Sequence, residues 1–141
     1  MRNSNYFRNK KVTIVGLARS GVACANLLHG LGASLSITDI KDNAQTREAS
    51  AKLCSRDILV ELGKHSRDFI KQADLVVVSP GVPADALPVK WAGEFNIPVI
   101  SEIEAASILC PARIIAVTGS NGKTTVTTLI GKLLAASGKN V

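Results

Sequence analysis

Short apolar runs alternate with helix-like stretches along this chain, and small residues mark the points where one type gives way to the other. Lys11 to Val15 is an apolar run, and after a glycine-containing loop a helical pattern extends from Arg19 to Leu31. A second run, Ser34 to Asp39, ends on an acidic residue. This alternation is typical of βαβ units, in which helices connect parallel strands. It predicts an α/β fold built on a parallel sheet.

The same alternation continues through most of the chain. Further helices are predicted at 44–53, 66–72, around Trp91 and at 102–109, and further strands at 58–61, 74–79 and 98–100. Ser101 and Glu104 have the spacing of a capping box, which begins a helix. Cys110 and Pro111 then mark a boundary between a first domain, 1–110, and a second, 111–141. The second domain is predicted to contain a strand at 113–117, a glycine loop and a helix that Gly138 ends.

Length and composition limit the possible classes of protein. The 141 residues supply one full hydrophobic core, because domains typically need roughly 100 to 200 residues each. The second domain is therefore expected to be truncated. Hydrophobic residues make up 46% of the chain, and polar residues interrupt every apolar stretch long enough to cross a membrane. Three widely spaced cysteines indicate free thiols in a reducing cytoplasm.

The net charge of +6 raises the question of a nucleic-acid partner. Four of the positive charges, Arg2, Arg8, Lys10 and Lys11, lie in the first eleven residues, well before the first acidic residue, Asp39. Aromatic residues make up only 4% of the chain, so no stacking platform accompanies this basic arm. We interpret the arm as a solvated N-terminus and expect neither a nucleic-acid nor a membrane partner.

The first glycine loop has the sequence Gly-Leu-Ala-Arg-Ser-Gly at 16–21 and lies between the first predicted strand and helix. A loop of small residues in this position brings backbone N–H groups and a helix N-terminus close to a phosphate. Asp39, at the end of the second strand, occupies the place of an acidic residue that contacts a ribose hydroxyl or a base N–H. The loop alone leaves open a dinucleotide, a uridine diphosphate or a tight turn without a ligand.

The second glycine loop has the sequence Thr-Gly-Ser-Asn-Gly-Lys-Thr-Thr at 118–125 and opens the last predicted helix. Its amides are suited to hold the phosphates of ATP, while Lys123 neutralises charge on the transferred phosphoryl group and Thr124 binds Mg²⁺ through its hydroxyl. The loop departs from the common P-loop pattern because Val117 stands where the first glycine is expected. A nicotinamide-binding domain is not normally followed by such a loop.

The second loop resembles the variant T-G-T-N-G-K-[ST]-T of the Mur ligases and the folylpolyglutamate synthetases. A preceding Rossmann-like domain with a G-L-x-x-S-G loop favours the Mur ligases, and Ser-Pro-Gly-Val-Pro at 79–83 and Ser-Glu-Ile-Glu at 101–104 strengthen the similarity. The resemblance is strongest to members that add D-glutamate. It implies a Rossmann-like domain for a uridine nucleotide, followed by the first strand, P-loop and helix of a truncated ATPase domain.

This resemblance also implies a reaction and a set of site residues. ATP, with Mg²⁺, would phosphorylate the carboxylate of UDP-N-acetylmuramoyl-L-alanine, and D-glutamate would attack the acyl phosphate, with Lys123 as the catalytic residue. The implied contacts to the UDP substrate are Arg19, Ser20, Asp39, Ile40, Lys41, Ser79, Pro80 and Gly81. Those to ATP are Gly119, Ser120, Asn121, Gly122, Lys123, Thr124 and Thr125, with Thr124 also on the metal.

Several alternatives remain open at this point. They are a Mur ligase for another amino acid, a nucleotide-binding module without turnover, and an NAD(P)-dependent oxidoreductase domain. His29 and His65 are interpreted as structural or exposed residues, and Glu102 as part of a solvated helix start. In the last helix an apolar stripe begins at Val126. We expect this segment to pack back, to be poorly ordered or, as the favoured outcome, to self-associate.

Overall fold

The structure is a computed structural model that describes residues 5–141. The chain divides into two compact units, Met1–Pro111 and Ala112–Val141. Arg2 of the predicted basic arm lies outside the described residues. Within residues 5–141, no helix combines the length and the apolar character needed to cross a membrane.

The first unit contains five strands and five helices among its described residues. The strands are β1 (Lys11–Val15), β2 (Ser34–Asp39), β3 (Leu59–Leu62), β4 (Leu75–Val78) and β5 (Val99–Ser101), and the helices are α1 (Arg19–Gly30), α2 (Ala44–Ala51), α3 (Arg67–Lys71), α4 (Leu87–Glu94) and α5 (Glu102–Leu109). The strands pair in the order β3-β2-β1-β4-β5, and every pair is parallel. The predicted α/β fold with a parallel sheet is therefore confirmed.

The strand order reverses direction at the centre of the sheet. From β1 the chain builds outward to β2 and β3, and it then returns to add β4 and β5 on the other side of β1. The connections that follow β1 and β4 consequently diverge at the carboxyl ends of the strands. A crevice opens at such a switch point, and ligands of open α/β sheets bind there.

Helices cover both faces of the sheet. Side chains alternate between these faces along each strand. Val12 and Ile14 of β1 are buried in a core cluster with residues of α1 and α5. Val15 lies on the opposite face, where it is buried with Ile70 of α3 and Ala92 of α4. A central strand that is buried on both faces explains the nearly continuous apolar run in its sequence.

The segment before β1 also contributes to this core. Phe7 has no exposed surface and belongs to the cluster under α1 and α5. The backbone N–H of Asn9 donates to the carbonyl of Gly32 over 2.8 Å, which fixes the segment beside the α1–β2 turn. Arg8 and Lys11 are exposed, as a solvated arm predicts, but the burial of Phe7 between them and the start of the chain is not predicted by the charge pattern.

The second unit consists of a loop region and a single helix, α6 (Lys123–Ala136). The strand predicted at 113–117 is wrong. Its residues form no ladder with a neighbouring strand among the described residues, and Ile114 and Ile115 are exposed. The apolar pattern is present, but a strand exists only where a second strand supplies hydrogen bonds. The helix forms as predicted and ends near Gly138, which has a φ of +76°.

The apolar stripe of α6 is exposed over part of its length. Val126, Leu129 and Leu133 are all exposed. Self-association through this segment stays a prediction, as do the roles assigned to the two domains.

Candidate nucleotide-binding cleft

A cleft of about 570 Å³ opens at the carboxyl edge of the sheet, where loops leave β1, β2 and β4. Its volume is in the range of small-molecule sites, roughly 300 to 1,000 Å³. With the exception of Arg19, every residue that is predicted to contact a UDP substrate lines this cleft. These residues are Ser20, Asp39, Ile40, Lys41, Ser79, Pro80 and Gly81. Residues separated by up to 61 positions in the sequence thus share one site.

The first glycine loop is folded tightly against the rest of the cleft. Gly16 has a φ of +106°, and a Cβ atom there would lie 2.8 Å from the Ser79 hydroxyl oxygen. A Cβ atom on Gly21 would lie 2.3 Å from the carbonyl oxygen of Gly16. Only glycine fits both positions, because real Cβ atoms do not approach other heavy atoms so closely. The loop therefore turns sharply and brings the N-terminus of α1 to the cleft.

The N-terminus of α1 carries no competing side-chain cap. Its N-cap residue, Ala18, makes no side-chain hydrogen bond, and the first turn contains no acidic residue. The first N–H groups of a helix lack intrahelical partners and carry partial positive charge. This end of α1 is consequently suited to bind the phosphates of a ligand.

Asp39 ties the glycine loop to the end of β2. One carboxylate oxygen accepts from the backbone N–H of Leu17 over 2.7 Å, and the other accepts from the backbone N–H of Lys41 over 2.8 Å. Two backbone segments that line the cleft are thus held by one side chain. Each oxygen can accept a second hydrogen bond, and the contact of Asp39 with a ribose hydroxyl or base N–H stays a prediction.

Ser79 holds the loop from the opposite side. Its hydroxyl lies 3.2 Å from the carbonyl oxygen of Gly16 and 2.5 Å from a carboxylate oxygen of Glu102. The side chain therefore connects the ends of β1 and β4 with the first turn of α5. The interpretation of Glu102 as a solvated residue is wrong, since tertiary packing places its carboxylate against Ser79. The predicted capping box of Ser101 and Glu104 is confirmed.

Two residues differ from expectation in their relation to the cleft. Arg19 lines a separate groove between α1 and α2, together with Asn43 and Thr46, so its predicted contact with a diphosphate through the backbone amide stays a prediction. His65, for which the sequence predicts a structural or exposed position, lines the cleft beside Asp39. Nothing in the sequence near His65 indicates this, because the contact depends on how the β3–α3 loop folds over β2.

The second glycine loop belongs to the second unit and opens α6. Lys123 Nζ donates to the carbonyl oxygens of Gly119 over 2.6 Å and Ser120 over 3.2 Å. The Lys123 side chain thus folds back over the loop, in the region where a triphosphate would lie in a P-loop.

The Thr124 hydroxyl differs from those of Thr127 and Thr128 in its hydrogen bonding. Thr127 and Thr128 donate to the carbonyls of Lys123 and Thr124 within the helix. In the described part of the chain, the Thr124 hydroxyl has no such hydrogen bond. Mg²⁺ prefers oxygen ligands, including those of phosphates. The Thr124 hydroxyl and the Lys123 ammonium group therefore fit ATP with Mg²⁺. The individual contacts to ATP stay predictions.

Comparison with known protein families identifies the family of this chain. Residues 10–101 match the family model described as Mur ligase MurD-like, N-terminal domain. This match covers more than half of the chain, and the chain belongs to that family.

Individual relatives agree with this assignment. The chain is 50% identical over 130 residues to the UDP-N-acetylmuramoylalanine--D-glutamate ligase of Geotalea uraniireducens, which covers 92% of the chain and 29% of that relative. It is 45% identical over 132 residues to the ligase of the same name from Koribacter versatilis, with 94% and 29% covered. The chain therefore spans less than a third of the length of these relatives.

Two solved structures share the fold. The UDP-N-acetylmuramate-alanine ligase MurC of Thermotoga maritima superposes with a TM-score of 0.60 at 23% identity, over 90% of this chain and 29% of that one. A pseudomurein peptide ligase type C from Methanothermus fervidus gives a TM-score of 0.57 at 24% identity, over 92% and 27%. At this level of identity the likeness establishes the fold alone.

The close packing of the first loop can be tested by adding a single methyl group. We expect Gly21→Ala to lower the free energy of unfolding by about 1 to 3 kcal/mol, because the new Cβ clashes with the Gly16 carbonyl. Gly30→Ala is the matched control in the same helix, since a Cβ there meets no atom within 4 Å. Urea denaturation followed by circular dichroism measures both. Equal stability of the two variants would contradict the described loop geometry.

Proposed function

We propose that this chain is the N-terminal part of an ATP-dependent ligase that adds D-glutamate to UDP-N-acetylmuramoyl-L-alanine in peptidoglycan precursor synthesis. The observation that carries the proposal is the cleft, because it gathers almost all the residues that the resemblance assigned to the UDP substrate. Membership of the MurD-like family and the names of the relatives support it. Such a ligase would act in the cytoplasm, where its nucleotide substrates are made.

In this proposal the first unit binds the uridine nucleotide. The N–H groups at the start of α1, including that of Ser20, take the diphosphate, since this helix end is uncapped. Asp39, Ile40 and Lys41 border the uracil, and residues 79–81 close the opposite wall of the cleft. The interactions of Asp39 and Ser79 with the backbone hold these walls at a fixed separation, so the site is largely formed before ligand binds.

The second unit contributes the first elements of the ATP site. ATP with Mg²⁺ supplies the phosphoryl group that turns a carboxylate, which is a poor acyl donor, into a reactive acyl phosphate. Lys123, which donates to the carbonyls of Gly119 and Ser120 in this structure, would instead place its charge on the phosphates. The Thr124 hydroxyl would hold the Mg²⁺ ion. The described residues include no group of three or more His, Cys, Asp or Glu side chains that could hold a metal ion. By itself this chain, which spans less than a third of the length of its relatives, is expected to bind nucleotides without turnover.

The choice of nucleotide separates this proposal from an oxidoreductase domain. We expect the chain to bind UDP or a UDP-sugar more tightly than NAD⁺, because the cleft is lined by Asp39, Ile40 and Lys41 and closed by residues 79–83. Isothermal titration calorimetry with both ligands under identical salt conditions measures the difference. Equal or tighter binding of NAD⁺ would show that the first unit has been assigned to the wrong nucleotide.

The P-loop assignment is tested in a full-length ligase that carries this chain. We expect Lys123→Ala to lower kcat by about a hundredfold or more, since it removes a charge that acts mainly in the transition state. Lys132→Ala, an exposed lysine on the same helix, is the control and should leave kcat unchanged. Near-normal turnover of the Lys123 variant would exclude a catalytic role for this lysine.

A further inference from the structure

His65 occupies a defined position at one end of the cleft. It lies in the loop between β3 and α3 and lines the same wall as Asp39, Ile40 and Lys41. The other end of the cleft is formed by the glycine loop and the start of α1. If the phosphates lie at the helix N-terminus, as its uncapped N–H groups favour, then the residues at the end of β2, and His65 with them, face the nucleoside end of the ligand.

A buried hydroxyl fixes the orientation of the His65 ring. Thr38 has no exposed surface, and its Oγ1 atom lies 2.8 Å from His65 Nδ1. The same oxygen lies 3.0 Å from the carbonyl oxygen of Lys64 and 3.2 Å from a carboxylate oxygen of Glu61. That carboxylate oxygen also accepts from the backbone N–H of Ser66 over 2.8 Å. The ring is therefore held by a small polar cluster beneath the cleft.

The hydrogen bonds of Thr38 also favour one tautomer of the His65 ring. A threonine hydroxyl has one proton, and the Lys64 carbonyl and the Glu61 carboxylate can only accept it. When Thr38 donates its proton to one of these oxygens, a lone pair of its own oxygen faces Nδ1, and on this ground we assign the ring hydrogen to Nδ1. The neutral ring is left with an unprotonated Nε2, and that nitrogen has no hydrogen-bond partner among residues 5–141. It is an acceptor.

We propose that His65 Nε2 accepts a hydrogen bond from a donor at the nucleoside end of the bound nucleotide, either the imide N–H of uracil or a ribose hydroxyl, and so helps to select that ligand. This inference rests on the proposed uridine-nucleotide function of the cleft. His65 is a ligand-contacting residue in this account, and Thr38 is a positioning residue that acts through it. An acceptor at this point favours uracil over cytosine, whose ring nitrogen N3 carries no hydrogen.

The proposal predicts a specific dependence on pH. Charged groups surround the ring on several elements: Asp39 at the end of β2, Glu61 in β3, and Lys41 and Lys64 in the adjoining loops, while residues 79–83 carry no titratable side chain. Burial lowers the pKa of His65, and the charges of Asp39 and Glu61 oppose this effect. Protonation converts Nε2 from an acceptor into a donor. Affinity is therefore full above the lowered pKa and is lost as the pH falls through it.

Two substitutions separate the two ring nitrogens. His65→Asn keeps a polar group near the position of Nδ1 and removes Nε2, whereas His65→Gln places an amide oxygen near the position of Nε2 and does not titrate. Calorimetry with UDP-glucose and CDP-glucose on the 141-residue chain, from pH 5.0 to 7.5, measures affinity. The diphosphate diester groups do not titrate in this range, and UDP-glucose is compared with CDP-glucose at pH 7.5, where the cytosine ring is neutral. UDP and 2′-deoxy-UDP at pH 7.5 test the contribution of a ribose hydroxyl.

We expect His65→Asn to weaken UDP-glucose binding at neutral pH by about two- to tenfold, the usual effect of one hydrogen bond. The wild-type chain should lose a similar factor between pH 7.5 and 5.0, and His65→Gln should bind UDP-glucose at both pH values. If His65→Asn abolishes a preference for UDP-glucose over CDP-glucose, the donor is the imide. Equal weakening of both ligands, with a loss for 2′-deoxy-UDP in the wild type only, identifies the ribose.

Other outcomes would overturn the inference. Unchanged affinity of His65→Asn, or a wild-type affinity that does not vary with pH, excludes the contact while the uridine site stands. If the wild type binds neither UDP-glucose nor CDP-glucose, the proposed function itself fails. Circular dichroism and thermal unfolding confirm that the variants fold; if His65→Asn does not, the pH dependence of the wild type and its removal in His65→Gln decide the question.

Discussion

The glycine loop at 16–21 is held in place by hydrogen bonds on both sides, and the cleft depends on this arrangement. On one side the Asp39 carboxylate accepts from Leu17 and Lys41, and on the other the Ser79 hydroxyl lies against the Gly16 carbonyl. These groups come from the ends of β2 and β4, the two neighbours of β1. The reversal of strand order therefore opens a crevice and also places one anchoring side chain, Asp39 or Ser79, on each side of the loop. These contacts restrict the conformations of the loop and of the start of α1 before a ligand binds.

Much of this arrangement could be predicted from the sequence, because the information is local. The bounds of β1, β2 and α5 agree with the predicted ones, since each apolar run and its flanking residues lie within a few positions. The residues around the cleft could be predicted for a related reason. In a parallel sheet all strands point the same way, so the residues that follow β1, β2 and β4 must meet at one edge. Asp39 and Ser79 are such residues.

What could not be predicted depends on contacts between distant parts of the chain. His65 lies in the cleft where its ring nitrogen Nδ1 contacts the buried Thr38 hydroxyl over 2.8 Å. Glu102 contacts Ser79 because α5 packs beside α1. No spacing rule links these pairs. At 113–117 the sequence predicts a strand that the structure does not contain. The apolar pattern of this segment is correct for a strand, but the described chain provides no neighbouring strand. A strand, unlike a helix, requires a partner that a local pattern cannot supply.

The central claim is that the carboxyl-edge cleft of the first unit is a nucleotide site that is formed before ligand binds. Nuclear magnetic resonance of the ¹⁵N-labelled chain, titrated with UDP-N-acetylglucosamine in the absence of ATP, tests it most directly. The account predicts the largest amide shift changes at Leu17–Gly21 and around Lys41 and Gly81, with little change at 119–124. Changes centred on 119–124, or on the opposite edge of the sheet around Ser34 and Leu59, would contradict it.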